Sequence, residues 1–105
     1  MHKIRDRAKF VFKYFGTATQ IRKLDEEHGE LSRKLGLLEE GYVFLANAAS
    51  YKKDLAQEIA DNLFLLLQFA VSLDIEEEVY EQLDKKSQRT VTRALEGYYK
   101  QNKQK

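Results

Sequence analysis

The residues best suited to chemistry are four carboxylates in two pairs, Glu27 with Glu30 and Glu58 with Asp61. The members of each pair are three residues apart, so on a helix they share one face. Like charges so placed destabilise an isolated helix by roughly 0.2–0.5 kcal/mol per pair, and setting the two pairs against each other across a bundle deepens the conflict. A divalent cation reverses the sign of that interaction. Hard cations bind through oxygen, and Mg2+ usually takes carboxylates together with water and substrate phosphate. The pattern therefore points to a metal site for a phosphorylated substrate. The competing reading is a solvated acidic face, because such spacings recur in any charged helical protein.

The elements that must position these acids follow from composition. A chain of 105 residues, 43% hydrophobic, buries one modest core, so a single domain over 1–105 is expected. With no Cys, disulfides, thiolate zinc sites and cysteine nucleophiles are excluded, which fits a reducing compartment. With no Pro and five Gly, there are few punctuators for the many turns of a sandwich or barrel, and good helix formers dominate. The expected fold is all-α, a bundle of four main helices. Met1 to Lys13 lacks a continuous apolar run, and the longest one, Leu63 to Val71, is broken by Gln68. Both are too short for a secretory signal or a membrane span, so a soluble cytoplasmic protein without membrane contact is expected.

Helical spacing of Ile4, Ala8, Val11, Phe12 and Phe15 predicts a first helix from about Lys3 to Phe15, stopped by Gly16. Thr17 with Gln20 forms a capping-box pattern that starts a second helix, running to Leu35 and ended by Gly36. Its core stripe reads Ile21, Leu24, His28, Leu31 and Leu35, with His28 packed and hydrogen-bonded. Gln20, Lys23, Glu27, Glu30 and Lys34 form a neighbouring stripe, rotated by about 100° and so at the edge of the core. Gly29 in mid-helix suggests close helix approach near the acids. Residues 36–50 read as a loop with a helical turn around Leu38 to Leu45. A third helix is predicted from Tyr51 to Ser72; from Leu63 onward it is apolar on nearly every side, which places it in a subunit interface. The fourth begins near Ile75, carries Glu76, Glu77 and Glu78 where the helix dipole favours anions, and continues to about Tyr99, with 100–105 frayed.

The net charge of +1 conceals a segregation of sign. Residues 1–23 carry a net +6, residues 24–81 a net −10 and residues 82–105 a net +5. The near-balance overall argues against nucleic acid as a partner, despite the basic ends. The acidic middle is the more unusual feature.

The order Glu26-Glu27-x-x-Glu30, then Glu58-x-x-Asp61, resembles the E-E-x-x-E and E-x-x-D signature of the MazG-like all-α NTP pyrophosphohydrolase superfamily. Gln20 to Leu31 looks like its first metal helix, above all in the short phage and bacterial branch, where an F-G and then a Gln precede it as Phe15-Gly16 and Gln20 do here. Asp54 to Asp61 looks like its second metal helix. Leu73 to Glu78, and then Lys86, Arg89, Thr90 and Arg93, resemble the branch's last helix. The resemblance covers roughly residues 10 to 95, and Gly41 to Ser50 matches nothing diagnostic. It implies that Glu27, Glu30, Glu58 and Asp61 bind Mg2+, with Mn2+ as an alternative, and that Glu26 is a further acid near the site. It also implies hydrolysis of nucleoside triphosphates, commonly dNTPs, between the α and β phosphates, by a homodimer or homotetramer. The base preference does not transfer.

Metal ions that neutralise polyphosphate charge and acidify water suit such a reaction, with one of the acids orienting the attacking water. Lys86, Arg89 and Arg93 form a stripe at i, i+3 and i+7, either as clamps for the outer phosphates or as a solvated basic face. Gln20 either reaches the nucleobase or sugar or serves the capping box with Thr17. Lys23 either helps with phosphates or pairs with Glu27 at i+4. A di-iron bundle needs Glu-x-x-His on two helices, and only Asp25-x-x-His28 comes near. The main rival is a non-enzymatic helical adaptor, which predicts neither divalent-metal stabilisation nor triphosphate turnover.

Overall fold

In a computed structural model the chain is all-helical. The structure describes residues 2–41 and 48–103, and among them there are four helices and no strand. These are α1 (His2–Phe15), α2 (Thr17–Gly36), α3 (Ala48–Ser72) and α4 (Glu76–Lys103). None is long and apolar enough to cross a membrane. The chain divides into two compact units, Met1–Asp74 and Ile75–Lys105.

In the first unit α3 packs along both α1 and α2, which touch each other less. Among the described residues, Ala8, Leu65, Ala70 and Val71 are its buried apolar side chains. Phe12 of α1 meets Phe69 of α3 edge to face, with ring centroids 5.2 Å apart. Between α1 and α2 a single residue interrupts the helical path. Gly16 donates its N–H to Phe12 O (2.8 Å) and accepts from Gln20 N–H (3.1 Å), so it closes one helix and opens the next. Its φ of 86° and ψ of 161° belong to glycine.

Two expectations about α2 are corrected here. Gly16 is the N-cap and no side chain caps the helix, so there is no capping box. Gln20 instead sends its side chain into the core. The inward stripe is Gln20, Leu24, Glu27, Leu31 and Lys34, whereas Ile21, His28 and Leu35 are exposed. The packing face of α2 thus combines Leu24 and Leu31 of the expected core stripe with Gln20, Glu27 and Lys34 of the neighbouring one, which find partners on α3, while Lys23, Glu30 and His28 are exposed and His28 is not a core histidine.

After Gly36, successive i→i+3 bonds from Leu37 N–H to Lys34 O through Gly41 N–H to Leu38 O continue the chain as tight turns. The helical turn expected at Leu38 to Leu45 holds as far as Gly41, and the rest of it lies outside the described residues. Helix α3 starts at Ala48, ahead of the expected Tyr51. It buries Asn62, Leu65, Gln68, Ala70 and Val71 yet leaves Ile59, Leu63 and Leu66 exposed by 40%, 60% and 52%. Asp74, at φ 56°, follows its end in the left-handed region that Asp tolerates.

The second unit is α4. Its first turn is acidic, as expected, and Ser87, Thr90 and Thr92 donate their hydroxyls back to carbonyls one turn earlier. The helix runs past Tyr99 to Lys103, so the fraying expected from residue 100 is not seen as far as 103; residues 104 and 105 lie outside the described ones.

Candidate metal centre

Glu27 of α2 and Glu58 and Asp61 of α3 converge. One carboxylate oxygen of each lies within 4.8 Å of the others. The helices are registered at this point by Asn62, which is buried. Its Nδ2 donates to Glu27 O (3.2 Å) and to Glu58 O (2.8 Å), tying the α2 backbone to α3 beside the acids.

The electrostatics are those of a site short of positive charge. Burial pushes the Glu27 carboxyl above its ordinary value, and the charges of Glu30, Asp61 and Glu58 push the same way against the opposing pull of Lys23. Lys23 Nζ lies 3.8 Å from Glu27 Oε1, the i+4 pairing read from the sequence. Lys34 reaches from α2 to α3, its Nζ donating to Glu58 Oε1 at 3.1 Å. That hydrogen bond, the largest influence, raises the Lys34 pKa despite partial desolvation. The second oxygen of Glu58 is buried without a hydrogen-bond partner. Leaving such an atom unsatisfied costs more than a typical hydrogen bond contributes, and a cation held by three carboxylates removes that cost. All-oxygen anionic donors of this kind fit Mg2+ or Mn2+.

Glu30 and Glu26 are exposed and are not among the three converging acids. Glu30 shares a cavity of about 440 Å³ with Arg33, Lys34, Leu37 and Glu58, and its charge is felt by both Glu27 and Lys34. Lys86, Arg89 and Arg93 are exposed on α4. A Cβ on Gly29 would meet nothing within 4 Å, so this glycine does not serve a close helix approach.

A second cavity of about 480 Å³ opens beside the acids. Glu27, Asp61 and Lys23 line it together with Gln20 and Gln68, and α1 contributes Val11 and Phe15. Gln20 Nε2 donates to Gln68 Oε1 at 2.7 Å, both side chains being buried. Three residues of this region escaped the reading of motifs: Lys34 as a bridge, Asn62 and Gln68. Gln68 carried a signal, as the one polar residue in the Leu63–Val71 run.

Compared with known proteins, the chain matches no family model, no curated protein and no solved structure.

Proposed function

We propose that the protein is a Mg2+-dependent nucleoside triphosphate pyrophosphohydrolase, cleaving a (d)NTP to the (d)NMP and pyrophosphate. The observation that carries this reading is the meeting of Glu27, Glu58 and Asp61 from two helices, with one Glu58 oxygen buried and without a hydrogen-bond partner. These three acids would hold the ion, with Glu30 as a fourth ligand and Glu26 as an outer acid; Mn2+ suits the same donors. When bound, the ion supplies charge neutralisation for the polyphosphate and lowers the pKa of coordinated water. Lys34 holds Glu58 in place through its 3.1 Å bond. Lys23, on the cavity lining, offers positive charge to a phosphate. The proposed assembly is a homodimer or homotetramer formed through the exposed apolar side of α3.

The test is release of pyrophosphate from the common NTPs and dNTPs with Mg2+. Glu58→Ala is expected to abolish it while the far-UV circular dichroism stays helical. Full turnover by the variant overturns the assignment. Exposed Ile59, Leu63 and Leu66 favour the second reading, a helical adaptor, which predicts no stabilisation by Mg2+ and no turnover of any triphosphate.

A further inference from the structure

Two aromatic rings stand in water on the outer side of α1. Phe10 is 70% exposed and Tyr14 73%, although Ala8 on the same helix is fully buried. Four residues apart, they share a helix face, and their rings lie nearly parallel, 16° apart in plane with centroids separated by 6.4 Å. Lys3 and Arg7, both exposed, complete a stripe at i, i+4, i+7 and i+11 along about 16 Å of helix. Lys9 and Lys13 are exposed on the same helix, and Asp6 is its one acid. The opposite, apolar side of α1 is taken up by α3, with Ala8 buried and Phe12 against Phe69. What faces outward is therefore a row in which cations alternate with aromatic rings.

That combination suits a polyanion that carries flat apolar rings of its own. Phosphates attract Lys and Arg whatever the sequence, and unstacked bases offer π-faces to aromatic side chains. An anionic membrane suits it less, because an interfacial helix keeps its apolar face apart from its basic one and buries it in lipid, and the apolar face of α1 is already held by α3. The near-balance of charge over the whole chain, which spoke against nucleic acid, averages this stripe with the acids of residues 24–81; residues 2–15 alone carry a net +4. We infer that the outer stripe of α1 is a docking face for single-stranded nucleic acid, with Phe10 and Tyr14 as stacking platforms and Lys3 and Arg7 as phosphate contacts. None of the converging acids lies on α1, so binding here requires neither a metal nor hydrolysis, and it stands or falls apart from the hydrolase reading.

The experiment is fluorescence anisotropy of a labelled oligothymidylate, about a dozen residues long, titrated with the full chain in EDTA at several salt concentrations. Wild type is expected to bind it, or its oligouridylate counterpart, more tightly than a duplex of the same length, with affinity falling as salt rises. Phe10→Leu and Tyr14→Leu keep an apolar side chain but remove the ring. Each is expected to weaken binding by roughly five- to a hundredfold without changing the salt dependence, whereas Tyr14→Phe keeps wild-type affinity. Arg7→Gln is expected to reduce the slope of log affinity against log salt by about 0.7, the loss of one phosphate contact. If Phe10→Leu does not fold by circular dichroism, Tyr14→Leu and Tyr14→Phe are read in its place. No binding of either single strand by wild type, equal binding of the duplex, or unchanged binding by the folded Leu variants overturns the inference. So does binding to phosphatidylserine–phosphatidylcholine vesicles with none to the oligonucleotides.

Discussion

Lys34 and Glu58, 24 residues apart in the chain, join α2 to α3 through an Nζ–Oε1 contact of 3.1 Å. This ammonium, together with that of Lys23 beside Glu27, offsets charge on the acidic cluster from the α2 side. Because Lys34 has a raised pKa, its contribution is complete at neutral pH and fades as pH rises through and beyond the ordinary lysine range. Lys34→Met is therefore expected to lower the Tm of the metal-free protein. It is also expected to enlarge the rise in Tm on adding Mg2+, since the ion and the ammonium compete for Glu58. Thermal melts with and without Mg2+ check both, and an unchanged Mg2+ response contradicts the competition.

Glu27 gives a pH dependence of the same sign in a lower window, as a penalty that appears rather than a gain that fades. Its folded-state pKa lies above the unfolded value, so the ionised form weakens the fold. The penalty is absent below the unfolded carboxylate range, about pH 4, and complete once pH passes the raised folded value. Glu27→Gln is expected to raise the metal-free Tm at pH 7, with the gain vanishing as pH falls toward 4. A variant less stable than wild type at pH 7 refutes this.

Two glycines are expected to respond with opposite signs. Gly16 sits at φ 86°, so Gly16→Ala strains the backbone and costs about 1–3 kcal/mol although no atom obstructs the new Cβ. Gly29 lies in mid-helix with open space around it, so Gly29→Ala is expected to stabilise by about 0.4–1 kcal/mol. Urea unfolding of both variants measures the difference, and equal midpoints contradict it.

The exposed stripe of Ile59, Leu63 and Leu66 predicts self-association through α3. Wild type is expected to sediment as a dimer or tetramer at micromolar concentration, and Leu63→Glu as a smaller species. A wild-type monomer removes α3 as a subunit interface.

The bounds of α1 and α2 were legible because Gly16 and Gly36 punctuate a clear 3.6-residue period, whereas the start of α3 and the end of α4 have no such mark; the acid pairs were legible because a spacing of three fixes a common face. The rotation of α2 was not. Its two candidate stripes differ by about one residue's turn, and apolar count favoured the one with Ile21, His28 and Leu35. The choice is made by Gln68, Glu58 and Asn62, whose bonds to Gln20, Lys34 and Glu27 span 48, 24 and 35 residues. Periodicity within one helix carries no trace of such partners. The same bonds explain why Gln20 abandons a cap: the amide of Gln68 is a better-shielded partner than a backbone N–H at the helix start.

Helix α1 furnishes Val11 and Phe15 to the cavity, yet none of the converging acids lies on it, and it meets α2 through one glycine. The share of the cavity wall drawn from α1 is thus carried by a helix without acids of the cluster, so Val11 and Phe15 can be exchanged while Glu27, Glu58 and Asp61 stay in place.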